Sequence, residues 1–239
     1  MIAMLLGERQ FIPKEVKELF VRTGTMHILA ISGLHVGVLA VTILWVLNIS
    51  GAGIKGSNLI TVCLLLAYAL MIGPVPSVWR AVIMGVVMML GYVFERKSGV
   101  RNSLGLALFL MLAADPGYFY QPGFILSFGC VASILYITPV TDRIFRRLPL
   151  GYLSKALSVS LAVWVGIFPL QMYYFGNITP SGILANLLAI PLASVILISG
   201  LCAMVLAAVF PPASNIFFMS GEGAGTALQM WLGYVSRIP

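Results

Sequence analysis

Long apolar segments separated by short polar loops are the feature that most constrains what this chain can form. Only 9% of the residues are charged and 60% are hydrophobic, whereas a soluble globular domain usually carries about 25% charged residues. Because so few charged groups cannot cover a water-facing surface, a soluble enzyme, a disordered tail and a disulfide scaffold are excluded. The pattern predicts an all-α, polytopic transmembrane helix bundle. Its membrane segments number about seven, and they are expected at 26–47, 57–73, 77–94, 102–114, 121–138, 155–175 and 182–209.

Two of these segments depart from a simple span of about 20 residues. Segment 102–114 is short and ends at Asp115-Pro116, which predicts a broken helix or a crossing in a thinned region. Segment 182–209 is too long and contains Pro191, which predicts a re-entrant half-helix followed by a full span. Irregular backbone at membrane depth is tolerated only where protein or water covers it, so the two segments together indicate a cavity.

The distribution of lysine and arginine predicts the orientation in the membrane. Loops 95–101 and 139–155 are basic, whereas loops 114–121 and 176–181 contain no lysine or arginine. Since cytoplasmic loops collect positive charge, the basic loops are expected in the cytoplasm and residues 1–25 outside it. The expected location is the cytoplasmic membrane, which the chain crosses several times.

The sequence predicts three parts. Residues 1–25 contain an amphipathic helix at 10–22 and form an external lead-in. Residues 26–210 hold the apolar segments and form the transmembrane domain. Residues 211–239 are only moderately apolar, which favours a helix that lies at the membrane interface over one that crosses it.

The richest cluster of polar residues at membrane depth lies at 24–37, in the first segment. On a single α-helix, Ser32 and His35 share one face and His27 lies further round. Polar groups at this depth are costly, so each one is a functional candidate. Three other interpretations are open: structural hydrogen bonds of the histidines to other helices, a zinc site, and an intramembrane hydrolase with Ser32 as nucleophile.

Gly33 and Gly37 form a G-x-x-x-G pair in the same stretch. On one helix they lie on the side opposite the polar face. Such small-residue pairs let two membrane helices approach closely. The pair therefore predicts a helix-packing surface.

Further polar candidates lie in or beside other segments. Arg80, just inside the third segment, either reaches the lipid headgroups or lines an aqueous vestibule where it can hold phosphate. Tyr118, Tyr120 and Gln121 belong to a turn whose aromatic rings suit an interfacial belt or base stacking. Asn186 is an uncharged polar group at depth that either bridges helices or lines a path.

The three cysteines lie in separate apolar segments. Cys63, Cys130 and Cys202 form no CxxC pair, and their odd number does not suit a disulfide framework. The histidines have no thiol or carboxylate close by in sequence. We therefore expect no metal site, no cofactor and no catalytic residue.

Four stretches of the sequence form a recognisable set. The most specific is Gly24-Thr-Met-His-Ile-Leu-Ala-Ile-Ser-Gly-Leu-His35. Three others follow, namely Pro76-Ser-Val-Trp-Arg-Ala81, Asp115-Pro116 leading to Pro122-Gly-Phe-Ile-Leu-Ser-Phe128, and Asn186-Leu-Leu-Ala-Ile-Pro191. Taken together and in this order, they resemble the ComEC competence family, the membrane channel for DNA uptake in natural transformation. The resemblance covers about residues 7–210.

The resemblance implies a polytopic bundle that passes one strand of DNA from the exterior to the cytoplasm. Family members commonly carry an external OB-fold module before this region and a metallo-β-lactamase-like, nuclease-like module after it, and we expect both as partners missing from this chain. Single-stranded DNA and membrane lipid are further expected partners, and a cytoplasmic motor is another. We expect a channel without nuclease activity in this chain, and the oligomeric state stays open.

A DNA strand carries one charge per phosphate, so its path needs water, dispersed donors and few carboxylates. We expect Arg80 and the aromatic residues at 118–120 to meet the strand outside, and Gln121 to lie along the path. His27, Ser32 and His35 would line the constriction, Asn186 would lie along the path, and phosphates would be received inside by Arg143, Arg146 and Arg147. The alternatives are a small-molecule or lipid transporter and, less favoured, the intramembrane hydrolase.

Overall fold

The computed structural model describes residues 12–29, 32–96, 99–145, 151–176, 179–209 and 211–237. Within these ranges the regular structure is helical and no strand occurs, so the all-α prediction is confirmed. Two 3₁₀ helices, Met26–Ile28 and Pro116–Tyr120, accompany the α-helices. The α-helices are α1 (Lys14–Arg22), α2 (Gly33–Ile49), α3 (Ile54–Ile72), α4 (Pro76–Val93), α5 (Val100–Ala114), α6 (Pro122–Tyr136), α7 (Thr138–Phe145), α8 (Tyr152–Phe175), α9 (Ser181–Val209) and α10 (Pro211–Val235).

Four of these helices are long and apolar enough to cross a bilayer: α3, α4, α8 and α9. Helices α6 and α7 meet at a bend of 51° and together form a broken span or a re-entrant loop. Helices α2 and α5 are apolar but contain 17 and 15 residues, fewer than the roughly 20 that a span requires. Each predicted segment thus has a helical counterpart, and four or five of them are long enough to cross by themselves.

The first predicted segment is not one continuous helix. A 3₁₀ helix covers Met26–Ile28, and α2 begins only at Gly33. Ser32 has extended backbone angles (φ −129°, ψ 174°) and is the N-cap residue of α2. Because small hydroxyl residues favour N-cap positions, the helix predicted to start at 26 starts at Gly33 instead.

Helix α9 runs without a break through Pro191, so the structure has a continuous helix where a re-entrant segment was predicted. A proline inside a membrane helix is tolerated when neighbouring helices compensate for the missing backbone hydrogen bond. The break lies instead between α6 and α7, where Pro139 is the second residue of α7. The residue before a proline avoids helical angles, which favours a bend at this point.

The chain divides into two compact units. The central unit is Ser32–Phe128, and the terminal unit combines the described parts of Met1–Ile31 and Gly129–Pro239. In the central unit α2, α3 and α4 pack on one another and α5 packs on α4. Fully buried residues recur every four positions along α3, the spacing of one helix face; they are Ser57, Thr61, Leu65 and Ala69.

In the terminal unit, α9 packs most extensively on α10 and also contacts α8. Ala185, Ala189 and Ala193 of α9 are fully buried at four-residue intervals, and such small residues allow close helix packing in membranes. The indole Nε1 of Trp231 in α10 donates to the carbonyl of Ala185 at 3.0 Å. These contacts make α9 and α10 the framework of the unit.

Helix α1 is the amphipathic helix predicted at 10–22, of which residues 10 and 11 lie outside the described ranges. Pro13 precedes its first turn, and Phe20 is its buried apolar anchor. Its charged side chains are exposed, and α1 contacts α10 and the first 3₁₀ helix. The boundaries predicted at residues 25 and 210 stay predictions.

Candidate functional site

The start of α2 is closed by a reciprocal hydrogen-bonded cap. The backbone N–H of Ser32 donates to Nδ1 of His35 at 3.3 Å, and Ser32 Oγ lies 3.2 Å from the same nitrogen. His35 is buried. This is a capping box with histidine in the place usually taken by glutamate or glutamine. Helix capping therefore accounts for the proximity of the two side chains.

Arg80 is the charged residue of α4, and its side chain is only 8% exposed. Its Nε donates to Ser127 Oγ at 2.7 Å, and its Nη1 lies 3.8 Å from the sulfur of Met84. The guanidinium carbon lies 5.9 Å from the centre of the Phe128 ring, within the range of a cation–π contact. Ser127 thus binds one edge of the guanidinium, and the Phe128 ring lies against one of its faces.

Gly33, the first residue of α2, leaves room for this guanidinium. A Cβ at Gly33 would lie 3.0 Å from Nη2 of Arg80 and 3.4 Å from Cβ of Ala81. At Gly37, one turn later, a Cβ would have no described atom within 4 Å, and the residue is exposed. Of the predicted glycine pair, Gly33 lies in a tight helix contact and Gly37 lies away from the described neighbours.

Arg80 lies near the N-terminal ends of three helices. Arg80 is the fifth residue of α4, while its neighbours Gly33 and Ser127 are the first residue of α2 and the sixth of α6. At 1.5 Å per residue, all three positions lie within about 8 Å of the N-terminal ends of their helices. Of the three, only Gly33 lies in the first turn of its helix, where the partial positive charge of a helix N-terminus acts.

A row of aromatic rings connects Arg80 with the 3₁₀ helix that precedes α6. Tyr118 stacks on Phe124 with ring centres 5.9 Å apart, and Phe124 lies 4.6 Å from Phe128, the ring beside the guanidinium. Next to this row, Tyr120 is 81% exposed. The exposed aromatic turn and the buried arginine therefore belong to one packed cluster, which we call the Arg80 cluster.

The turn itself is fixed largely by backbone hydrogen bonds. Oδ1 of Asp115 accepts from the N–H of Gly117 at 2.8 Å, and the N–H of Gln121 donates to the carbonyl of Tyr118 at 3.0 Å. The Gln121 carbonyl in turn accepts from the N–H of Phe124 at 3.0 Å. The side chain of Gln121 remains exposed.

The residues predicted from sequence fall into both units. The central unit contains Ser32, His35, Arg80, Tyr118, Tyr120 and Gln121, whereas the terminal unit contains His27, Arg143 and Asn186. Arg146 and Arg147 lie outside the described residues. Because His27 belongs to the 3₁₀ helix and not to α2, the polar helix face predicted to join it to Ser32 and His35 does not form.

In the terminal unit the predicted residues have different surroundings. His27 is exposed, and Arg143 is exposed in the last turn of α7. Asn186 is half-buried, and its Oδ1 is buried without a hydrogen-bond partner in the described part of the chain. No three histidine, cysteine, aspartate or glutamate side chains of the described ranges lie together as metal ligands.

The stretch 24–35 is shared between the units. Gly24 has a φ of +66°, which glycine adopts without strain, and a Cβ added to it would collide with the side chain of Thr179, which lies just before α9. The hydroxyls of Thr23 and Thr25 lie 2.9 Å apart, and Thr23 also donates to the carbonyl of Leu19 at 2.8 Å. Thr25, at the start of the stretch, is thus hydrogen-bonded to the end of α1 in the terminal unit. Ser32 and His35, at its other end, cap α2 in the central unit.

Four residues that contact Arg80 or belong to its row of rings were not predicted as site residues: Met84, Phe124, Ser127 and Phe128. Met84 follows Arg80 by four positions on α4 and therefore shares its helix face. Ser127 is a small polar residue within the apolar segment 121–138. Nothing in the sequence alone states that this segment packs on α4, so only the fold could have identified these partners.

The match to a family model decides what kind of protein this is. The model described as competence protein matches residues 4–239, nearly the whole chain. The chain belongs to the competence protein family. Membership links this membrane protein to competence, the uptake of DNA.

Individual relatives agree with this assignment. The chain is 27% identical over 204 residues to ComE operon protein 3 of Bacillus subtilis, covering 85% of the chain and 26% of that protein. It is 26% identical over 213 residues to Recombination protein 2 of Haemophilus influenzae, with coverages of 83% and 27%. An uncharacterized Aquifex aeolicus protein is 29% identical over 238 residues, with coverages of 99% and 55%. The chain therefore spans between about a quarter and about half of these relatives, and no solved structure matches it.

Proposed function

We propose that this chain forms the passage through which one strand of DNA crosses the cytoplasmic membrane during natural transformation. Membership of the competence family supports a role in DNA uptake, and the apolar helices support a location in a membrane. The observation that carries the proposal is the buried Arg80, which lies near the N-terminal ends of three helices and is joined through a row of rings to an exposed aromatic turn.

The charges of the chain suit the passage of a polyanion. The sequence contains 14 lysines and arginines but only 7 aspartates and glutamates, and α4 carries Arg80 without any acidic residue. A charged side chain in a membrane helix usually faces protein or a water-filled cavity and marks an ion or substrate path. Phosphates of a strand would find there a fixed positive charge in a region of low dielectric, where electrostatic attraction is strong.

In this proposal the exposed turn receives the strand. Single-stranded nucleic acids bind through stacking of bases on aromatic rings, worth about 1–3 kcal/mol per base, together with cationic contacts to the backbone. Tyr120 offers an exposed ring, and Tyr118 and Gln121 lie beside it. The phosphates then meet Arg80 and pass the capped start of α2 at Ser32 and His35.

The remaining residues belong to later steps of the path. His27 and Asn186 would contact the strand from the terminal unit, and Arg143 with the adjacent Arg146 and Arg147 would receive it in the cytoplasm. The orientation with residues 1–25 outside belongs to the same proposal. The proposal also includes three partners: an OB-fold module, a nuclease-like module and a cytoplasmic motor. We propose that this chain conducts DNA without cutting it.

The experiment is uptake of labelled DNA by cells that carry the complete gene with Arg80→Ala or His35→Ala. Expression and membrane insertion of each variant are checked by immunoblotting of membrane fractions. We expect Arg80→Ala to reduce uptake strongly, since the fixed charge of the path is removed. Wild-type uptake in both variants would remove these residues from the path.

A further inference from the structure

A groove runs along the seam between α9 and α10 of the terminal unit. Each helix contributes four residues at the spacing i, i+3, i+4 and i+7, which places them on one helix face. The lining residues are Leu188, Pro191, Leu192 and Val195 of α9 and Ala227, Met230, Trp231 and Tyr234 of α10. The groove therefore follows about two turns of each helix, and we call it the seam groove.

The seam groove is apolar, open and large enough for a ligand. Its volume is about 710 Å³, and ligand clefts usually measure roughly 300–1,000 Å³. None of its eight lining residues, which all belong to the described ranges, carries a charge. Leu188, Val195 and Met230 are exposed, so the groove can be entered from the side of the bundle. An apolar chain suits this surface, whereas a phosphate would find no cation among the lining residues.

The directions of the two helices indicate which end of the groove lies near the membrane surface. Helix α9 is long and apolar enough to cross a bilayer. Trp231, near the end of α10, donates to the carbonyl of Ala185, near the start of α9, so the two helices are antiparallel and the end of α10 lies beside the start of α9. From there the groove extends seven residues along each helix, about 10 Å deeper into the membrane.

Aromatic rings and a positive charge mark the shallow end of the groove. Trp231 and Tyr234 stack with ring centres 6.2 Å apart, and tryptophan and tyrosine are typical of the level of the lipid headgroups. Arg237 is exposed one turn further on, and its backbone N–H donates to the carbonyl of Tyr234 at 3.2 Å. Helix α1 lies at the same end, since the carbonyl of Thr23 packs against Gly182, and it carries three basic and two acidic residues. The net charge of these groups is positive, which suits an anionic headgroup.

We propose that the seam groove binds one acyl chain of an anionic phospholipid, with the lipid headgroup at Arg237. The apolar groove, the ring pair and the positive charge follow one another in the order of the acyl chain, the glycerol region and the headgroup of such a lipid. Basic groups at the membrane surface attract anionic headgroups. The lipid would bind whether or not DNA passes through the protein, so this site does not rest on the proposed function.

The test measures quenching of Trp231 fluorescence by lipids with brominated acyl chains. The complete protein is placed in nanodiscs of phosphatidylcholine with a rising fraction of brominated phosphatidylglycerol, and then in discs that carry the bromine on the phosphatidylcholine instead. Each variant is prepared with and without Trp231→Phe, so that the difference reports Trp231 alone. We expect the wild type to prefer phosphatidylglycerol about fivefold, the effect of one basic residue near a membrane surface. High salt should reduce this preference, because salt screens an exposed charge contact.

Two pairs of variants separate the headgroup contact from the chain contact. Arg237→Gln should abolish the preference, whereas Lys155→Gln should keep it, because Lys155 is an exposed charge at the other end of α8, about 30 Å from where that helix ends beside α9. Ala227→Phe fills the groove and should abolish the preference as well. Gln229→Phe should keep it, since Gln229 is exposed and lies about 200° round α10 from Ala227.

Three results would overturn the site. The first is an equal preference in wild type and Arg237→Gln, and because Arg237 is exposed, this variant decides the matter even if Ala227→Phe fails to fold. The second is a loss of preference in Lys155→Gln too, which would make the effect one of overall charge. The third is a wild type without lipid preference whose oligomeric state changes in Ala227→Phe on size-exclusion chromatography, since a second copy of this chain would then cover the groove.

Discussion

Replacing Gly33 with alanine tests whether the Arg80 cluster is as tightly assembled as its geometry indicates. The added Cβ would lie 3.0 Å from Nη2 of Arg80 and 3.4 Å from Cβ of Ala81. The guanidinium cannot simply retreat, because its Nε is held by Ser127 at 2.7 Å. Overpacking of this kind costs about 1–3 kcal/mol.

Gly37→Ala is the matched control, since it makes the same change one turn further along the same helix. A Cβ there meets no described atom within 4 Å, so only the better helix propensity of alanine acts, which stabilises by up to about 1 kcal/mol. Both variants gain this helix propensity, so the overpacking cost is the difference between them, and we expect Gly33→Ala to be less stable than Gly37→Ala by about 1–3 kcal/mol. Gly37→Ala should leave stability unchanged or raise it.

The assay is unfolding of both variants in mixed micelles with rising sodium dodecyl sulfate, followed by circular dichroism, alongside DNA uptake by cells. Gly33→Ala should unfold at lower detergent content than Gly37→Ala and should also reduce uptake, because Arg80 is displaced. Identical unfolding curves and equal uptake for the two glycine variants would refute the packing described around Arg80.

Three other substitutions probe different parts of the molecule. Gly166→Ala should lower stability by about 1–3 kcal/mol in the same unfolding assay, because its Cβ would lie 2.7 Å from Cβ of Ser133; a stability equal to wild type would contradict this packing. Trp231→Phe removes an indole donor that bonds a carbonyl of α9 at 3.0 Å, so thermal unfolding should show a loss of about 1 kcal/mol, and an unchanged midpoint would show that the bond contributes nothing. Tyr120→Ala removes an exposed ring, so uptake of labelled DNA should fall while the unfolding curve stays at the wild-type position; normal uptake would exclude Tyr120 from the path.

The helices could be predicted because an apolar segment long enough to cross a membrane has few alternatives to the α-helix. Segments 57–73 and 77–94 correspond to α3 and α4 within a few residues. The start of α2 could not be placed from hydropathy, since Ile28 and Leu29 are as apolar as the helix that follows. There the cap formed by Ser32 decides where the helix begins.

The candidate site was only partly accessible from sequence. Arg80 could be identified by itself, because a charge in an apolar segment is conspicuous. Its partner Ser127 lies 47 positions away along the chain, and that contact depends on how α4 and α6 pack. The continuity of α9 through Pro191 was equally hidden, because the effect of a proline in a membrane helix depends on its neighbours.

The most direct test of the central claim is photo-crosslinking during uptake. A photoreactive phenylalanine analogue replaces Tyr120 in the complete protein, and the cells are given labelled DNA. Irradiation during uptake then crosslinks the analogue to any molecule in contact with it. The control places the same analogue at Trp45, an exposed position of α2. The account predicts that the protein becomes covalently linked to single-stranded DNA from position 120 and not from position 45. Crosslinks equal at both positions, or absent from position 120 while uptake proceeds, would contradict it.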